Sequence, residues 1–357
     1  MKNIYKSILY IAIAVVAASC AKYEGEGTNE AKKRYFDAWM SINYHDLKPQ
    51  WDGKYVTGEN ATGIYVIHDV EGTGVTIEKE GFVLVDYTQY DLAGNITEFT
   101  DSTVAKQLGS YNPADYYGPT WLATYDEAIP SGLLNAMVGM KVGGSRKLII
   151  PSWFMTYSSY SKPADYLKHS CDFTNSIYEF TIKDFCDTLD VWECDSIERY
   201  IVKNYGEVSA FANDTTGFYF RHKIECPEDI KEFPSDTTIY INYTGKLLNG
   251  LVFDTTIERV AKDNNIYDPT RDYTPVQIAW GAEHDEISMG ADESSVIPGF
   301  SMTMFDLKYS PSDKKWNDKA TGIFTSNLGY GYSGSGASIP PYASLIFEIE
   351  VVEVVED

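Results

Sequence analysis

Two stretches of this chain carry almost the same pattern, and that repetition limits what it can fold into. Thr62-Gly63-Ile64-Tyr65-Val66-Ile67 and Thr216-Gly217-Phe218-Tyr219-Phe220 stand 154 residues apart. Each is followed by a longer alternating segment, Phe82 to Thr88 in one copy and Thr238 to Thr244 in the other. Each segment then turns near a glycine, Gly94 or Gly250, and reaches a phenylalanine, Phe99 or Phe253. An Ile-Pro pair follows in both, Ile129-Pro130 and Ile297-Pro298. Both copies close on an alternating strand, Ser176 to Lys183 and Ser344 to Val352. Alternation of period two marks a half-buried strand, and proline suits the first turn of a helix because the missing N–H has no partner there. The pattern predicts an α+β chain with two copies of one antiparallel, helix-bearing domain, at 30–185 and 216–357, joined by 186–215. A chain of 357 residues can bury a full core in each.

The N-terminus reads as a targeting segment. Lys2 and Lys6 precede an apolar run from Ile8 to Ala18 that is too short to span a bilayer comfortably. Ala17-Ala18-Ser19 before Cys20 resembles a bacterial lipobox, although Ala17 stands where leucine is usual. The expectation is a signal peptide at 1–19, a diacylated Cys20, and a polar tether over 20–29 that holds the protein to a membrane of the cell envelope, as an outer-membrane lipoprotein. The net charge of −23 excludes nucleic acid as a partner, since no basic stripe offsets it. Four further cysteines, Cys171, Cys186, Cys194 and Cys226, permit disulfides in an exported protein, with Cys186–Cys194 one pairing; free buried thiols remain equally open. No Cys-x-x-Cys occurs, and His45, His68, His169, His222 and His284 are scattered, so neither a zinc site nor a cofactor is expected.

Glu30 to Leu47 has helical spacing, and Ser196 to Tyr205 reads as a second helix capped by Ser196, after an acidic linker at Asp184 to Asp195. The segment from Gly329 is a glycine-serine loop running into Ile339-Pro340-Pro341 and the last strand. Its glycines lack the Gly-Lys-Ser/Thr of a phosphate loop, and Ser333 and Ser335 lack a Gly-x-Ser-x-Gly frame. Asp263 to Asp272 is acidic without calcium-loop spacing and reads as a solvated insertion. Four Asp-Ser/Thr-Thr triplets, beginning at Asp101, Asp214, Asp236 and Asp254, resemble a bacterial O-glycosylation acceptor.

An ordered series runs through the second copy: Tyr243-Thr244-Gly245, Gly250, Phe253-Asp254, Val296-Ile297-Pro298-Gly299-Phe300, Tyr330-Gly331, Ile339-Pro340-Pro341 and Phe347. It resembles the FKBP-type peptidyl-prolyl isomerases, and the layout is similar to two-domain FKBP-like lipoproteins of Bacteroidetes-type bacteria. The resemblance implies two tandem FKBP-like domains, each a curved antiparallel sheet wrapped on a short helix. It implies a pocket for an X-Pro peptide lined by Tyr243, Phe253, Asp254, Val296, Ile297, Phe300, Tyr330, Ile339 and Phe347. Tyr330 would donate to the substrate carbonyl, Asp254 would orient polar groups, and Phe253, Phe300 and Phe347 would hold the proline ring. Departures stand at Phe300, where the family often has tryptophan, at Val276 for a wall aromatic, at Ser338 in the loop, and in an insertion from Leu307 to Asn317. The first copy keeps Tyr87, Gly94, Phe99, Ile129, Gly132 and Met140-Lys141-Val142-Gly143. It reads as having Thr100 at the aspartate position and Leu133 at the aromatic floor, and it has Cys171-Asp172-Phe173 in place of Ile-Pro-Pro. It is expected to bind or scaffold without catalysis.

The chemistry implied needs no nucleophile. Amide resonance sets a barrier of roughly 18–20 kcal/mol. The twisted transition state is less dipolar than the planar amide, so an apolar aromatic pocket binds it preferentially. A thousandfold acceleration needs only roughly 4 kcal/mol. The clients implied are proline-containing exported polypeptides. The rivals are a non-catalytic peptide-binding module and, from the 28 tyrosines, a glycan-binding surface protein.

Overall fold

The computed structural model describes residues 29–355, apart from Cys171, Asp236 and Lys314. Cys20, the 1–19 segment and most of the tether lie outside the described residues, as does any pairing of Cys171. Among the described residues no helix is long and apolar enough to cross a membrane.

The chain is α+β, with antiparallel sheets and few helices. Helix α1 (Asn29–Asn43) buries Phe36 and Met40 and leaves Tyr35 exposed. The first sheet uses β1 (Tyr65–Val70), β2 (Phe82–Tyr90), β3 (Ile96–Phe99), β4 (Thr120–Ala123), β5 (Ser145–Ile150) and β6 (Ser176–Cys186). Their order is β1-β5-β6-β2-β3, with β4 pairing β2. Two short helices accompany it, α2 (Ser102–Leu108) and α3 (Ser131–Met137), with one further helical turn at Pro163–Tyr166.

Helix α4 (Leu189–Tyr205) follows within three residues of β6. The helix therefore begins seven residues before Ser196, which sits inside it and caps nothing. Of the acidic residues that read as linker, Asp184 lies in the strand, Asp187 lies between the elements, and the rest are helical; Asp190 accepts from Asn327 and Glu193 from Ser326 and Ser344. The second sheet holds β7 (Ala212–Thr215), β8 (Phe218–His222), β9 (Thr238–Leu247), β10 (Val252–Thr255), β11 (Val276–Ala279), β12 (Ser288–Met289), β13 (Ser294–Ser295), β14 (Lys319–Phe324) and β15 (Leu345–Val355). Its order is β13-β12-β11-β9-β15-β14-β8-β7, with β10 pairing β9. Removing β7, β12 and β13 leaves the topology of the first sheet.

The likeness extends to irregularities. The β2–β6 ladder shifts register after Leu84, and the β9–β15 ladder shifts after Tyr240. The hairpin ladders shift after Gln89 and Gly245. Both pairs of positions are 156 residues apart. Bulges re-aim strands and twist the local sheet, so the two units share these local bends as well as their strand order.

Each inner face carries its own core. In the second unit, helices α5 (Glu258–Asp263) and α6 (Pro298–Phe305) complete the fold, and α6 packs on Phe324, Phe347 and Ile349 of the inner face. A Cβ on Gly299 would strike the Phe324 ring, so glycine is what lets α6 approach the sheet. The outer face of the same sheet is covered by α4, whose Ile197 and Ile201 pack with Tyr219, Ile323 and Ile346. The Leu307-to-Asn317 stretch is no free excursion: Lys308–Tyr309 pairs with Lys231–Glu232 in a small two-stranded sheet. Cys186, Cys194 and Cys226 are free thiols, so the Cys186–Cys194 pairing does not form.

Candidate functional site

The pocket of the second unit is built where β9, β10 and β15 face α6. Alternation puts Tyr243 of β9 and Phe347 of β15 on the inner face, and Phe300 of α6 descends onto both. Ring centroids lie 5.5 Å apart for Tyr243–Phe300 and 4.9 Å for Phe300–Phe347, each pair edge-on. Phe253 of β10 meets Phe347 edge-on at 5.6 Å. Such edge-to-face pairs are favoured by the ring quadrupole and fix one geometry. Gly245 makes the wall possible, since a Cβ there would run into both Phe253 and Phe347.

The rings bound a cavity of about 430 Å³. All nine residues singled out in the sequence line it: Tyr243, Phe253, Asp254, Val296, Ile297, Phe300, Tyr330, Ile339 and Phe347. Met289, Ser295, Ser335 and Ser338 also contribute, whereas Val276 packs on the core behind the wall and does not line the cavity. Phe300 is 3% exposed and Tyr330 is 37% exposed, so the floor is buried and the tyrosine stands at the rim.

One wall is polar and ordered. The Tyr243 hydroxyl donates to Asp254 Oδ2 at 2.5 Å. Arg271 pairs with Asp254 Oδ1. Burial, then the Asp254 charge, pushes the Tyr243 hydroxyl above the usual tyrosine range, so it stays a proton donor at all physiological pH. Tyr330 is raised in the same way, first by burial and then by Asp254. Arg271 lies in the stretch that read as a solvated insertion. Most of that stretch is exposed, as such an insertion would be, but the Arg271 side chain folds back from it as the counter-ion of Asp254. Thr255 and Thr256, read as an acceptor triplet with Asp254, are 0% and 2% exposed. They bond to the Tyr243 carbonyl and N–H at 2.9 and 3.0 Å, which removes them as modification sites in the folded chain.

The first unit answers this site residue for residue, in a different register from the one its sequence suggests. Thr100 Oγ1 accepts the Tyr87 N–H at 3.0 Å, as Thr256 Oγ1 does from Tyr243. Thr100 is thus the counterpart of Thr256, and Phe99 that of Thr255. Glu98 occupies the Asp254 position and accepts from the Tyr87 hydroxyl at 3.3 Å. Gln89 replaces Gly245, Thr97 replaces Phe253 and Tyr178 replaces Phe347. The carboxylate–tyrosine pair is kept while the aromatic wall is lost. The segment after β5 also differs: Trp153 and Phe154 fold into the core, and Trp153 Nε1 donates to Thr62 Oγ1. A larger cavity of about 560 Å³ lies against α3 among Trp51, Asp52, Asn135 and Tyr160. Tyr87, Glu98 and Tyr178 do not line it, so it is no counterpart of the second unit's pocket.

The family profile for FKBP-type peptidyl-prolyl cis-trans isomerases matches residues 231–352, the span that holds this pocket. An FK506-binding protein of Neisseria meningitidis serogroup B is 31% identical over 126 residues, covering 35% of this chain and 87% of that protein. The chain belongs to the FKBP family. A probable FKBP-type isomerase of Haemophilus influenzae is 31% identical over 140 residues, 39% of this chain and 44% of that protein. The FKBP-type 22 kDa isomerase of Escherichia coli is 30% identical over 116 residues, 32% of this chain and 40% of that protein. The chain spans less than half the length of these last two relatives. The three FKBP domains of wheat FKBP73 overlap loosely, with a TM-score of 0.26 at 16% identity over 83% of this chain and 96% of that one.

Proposed function

We propose that the second unit, 216–357, is a peptidyl-prolyl cis-trans isomerase. The observation that carries this is the aromatic-floored cavity with the ordered Tyr243–Asp254–Arg271 wall and a tyrosine at its rim. The proline ring sits among Phe253, Phe300 and Phe347, where the planar amide loses solvation that the twisted amide needs less. Tyr330 donates to the substrate carbonyl. Arg271 holds Asp254 so that the Tyr243 hydroxyl and the wall keep one arrangement. The first unit, with Gln89, Thr97 and Leu133 at the wall and floor, binds or scaffolds. The clients are proline-containing exported polypeptides, and a lipid on Cys20 holds the protein to the cell envelope.

The test is the cis-to-trans relaxation of a short X-Pro peptide with and without residues 21–357. Acceleration that falls at least tenfold in Tyr330→Phe and Phe300→Ala supports the reading. A folded protein with no acceleration sinks it. A second reading, peptide binding without turnover, draws on the polar rim of Ser295, Ser335 and Ser338. It requires peptide affinity in calorimetry with no change in relaxation rate.

A further inference from the structure

The loop 325–344 between β14 and β15 carries both Tyr330 and Ile339 of the pocket. It is held at both ends by one side chain from outside the family-matched span. Glu193 of α4 is 1% exposed. Its Oε1 accepts the Ser326 N–H at 3.1 Å and the Ser344 hydroxyl at 3.1 Å, and its Oε2 accepts the Ser326 hydroxyl at 3.0 Å. Ser326 lies four residues before Tyr330, and Ser344 five after Ile339. Beside this clasp, Asp190 accepts from the Asn327 amide at 2.6 Å. The first unit reaches the loop's far end: the Tyr116 N–H donates to the Ala337 carbonyl at 2.8 Å, and Phe82 meets Tyr342 edge-on at 5.5 Å.

A buried carboxylate is costly to keep unless its oxygens are bonded. A packed helix needs no such group for stability, and an apolar residue would serve packing alone. We propose that Glu193 is a positioning residue for the isomerase pocket, tying the ends of loop 325–344 so that Tyr330 and Ile339 stand at fixed places over the substrate. The site is then completed by α4 and the first unit, and the second unit alone lacks its supports. This rests on the isomerase reading above, and its test is separable from it.

Hydrogen–deuterium exchange of the full chain reads the clasp without reference to activity. Glu193→Ala should raise exchange at least tenfold within 325–344 and leave β2 and β5 unchanged. Glu193→Gln keeps an acceptor for Ser326 N–H and Ser344 Oγ and offers an N–H to Ser326 Oγ, so at pH 5, where neither side chain carries a charge, it should exchange like the parent. In X-Pro relaxation, Glu193→Ala should lose at least tenfold in kcat/KM and Glu193→Gln less than twofold. Unchanged exchange in Glu193→Ala, or a Glu193→Gln that behaves like it, overturns the proposal. A parent with no isomerase activity overturns the isomerase reading, while the exchange result still decides the clasp.

A separate cluster supports a second proposal. His222 ends β8, Cys226 follows in the next loop, and Asp318 immediately precedes β14. One ligand atom from each lies within 4.8 Å of the others. Asp318 is fully buried; Oδ1 faces His222 Nδ1 at 3.0 Å and Oδ2 accepts the Lys308 N–H at 2.9 Å, which orients the carboxylate. Imidazole, thiolate and carboxylate together balance a divalent ion and suit one of borderline softness. Metal–ligand bonds of about 2.0–2.3 Å require the half-buried Cys226 to swing inward slightly. We infer that these three side chains bind a zinc-class divalent cation with a fourth position open. Titration of the full chain with Co²⁺ should give one equivalent of thiolate-to-cobalt absorption, displaced by Zn²⁺, abolished in Cys226→Ser and weakened at least tenfold in His222→Ala. No such absorption, or absorption unchanged in Cys226→Ser, overturns the assignment.

Discussion

Replacing Glu193 by glutamine should make the protein more stable above neutrality and leave it nearly unchanged in mild acid. Burial pushes this carboxyl from 4.5 to about 7, against the pull of bonds from Ser326 and Ser344, and nearby Asp190 adds to the rise. A group whose folded pKa is raised favours the folded state below its unfolded pKa. That advantage is lost as pH climbs from about 4.5 through 7, because the unfolded chain ionises first. The shift corresponds to roughly 3 kcal/mol at 1.36 kcal/mol per unit. Glutamine cannot ionise and keeps all three bonds. The variant's margin over the parent should therefore be under about 1 kcal/mol at pH 5 and roughly 3 kcal/mol at pH 8. For a unit of this size that is a gain of roughly 6–12 °C in Tm at pH 8. Paired thermal melts by circular dichroism at pH 5, 6, 7 and 8 measure it. Parallel curves for parent and variant across that range refute the reasoning, since they would mean the carboxyl is already ionised at pH 5 or is never buried.

Three further outcomes are expected. Asp254→Asn breaks the pair with Arg271 and should cut kcat/KM for X-Pro isomerisation about tenfold while urea stability changes by less than about 1 kcal/mol, as befits a half-exposed pair. Gly299→Ala drives a methyl into the Phe324 ring and should cost about 1–3 kcal/mol in urea unfolding; an unchanged midpoint would show that α6 can lift off the sheet freely. Cys20→Ser should move the protein from the membrane to the soluble fraction of cells, and retention on membranes would refute lipidation at that position.

The pocket was legible in the sequence because its strand members alternate and its loop members fall in an ordered series of short motifs. Alternation alone sends Tyr243, Phe347 and Ile349 inward, and the order of short motifs brought Phe253, Phe300, Tyr330 and Ile339 to the same cavity. What escaped was set by strand register and by pairing between residues far apart in the chain. The hairpin register of the first unit lies two residues from the one its sequence suggests. Gly94 and Gly250 do correspond, but Phe99 follows its glycine by five positions and Phe253 by three. Counting from the glycine would have found Glu98. Arg271 reaches Asp254 from an irregular stretch that no periodicity marks. A signal existed in the repeated Tyr111-Asn112-Pro113 and Tyr267-Asp268-Pro269, each followed by a tyrosine that stacks on the first at 5.3 and 5.4 Å. Glu193 read as linker because a carboxylate looks solvated until its partners, more than 130 residues away, are known. His222, Cys226 and Asp318 were scattered in sequence and meet only because β8 pairs with β14.

Two sheets with one strand order in a single chain pose a hazard during synthesis, because a strand of one could complete the other. The order of elements works against this. Every strand of the first sheet lies between Tyr65 and Cys186, and the second sheet does not begin until Ala212. At roughly 5–20 residues per second, the intervening helix delays the second sheet by about 1–5 s, longer than a mixed α/β domain of modest size usually takes to fold. Helix α4 is therefore also an interval in time, within which the first sheet can close before its near-copy exists.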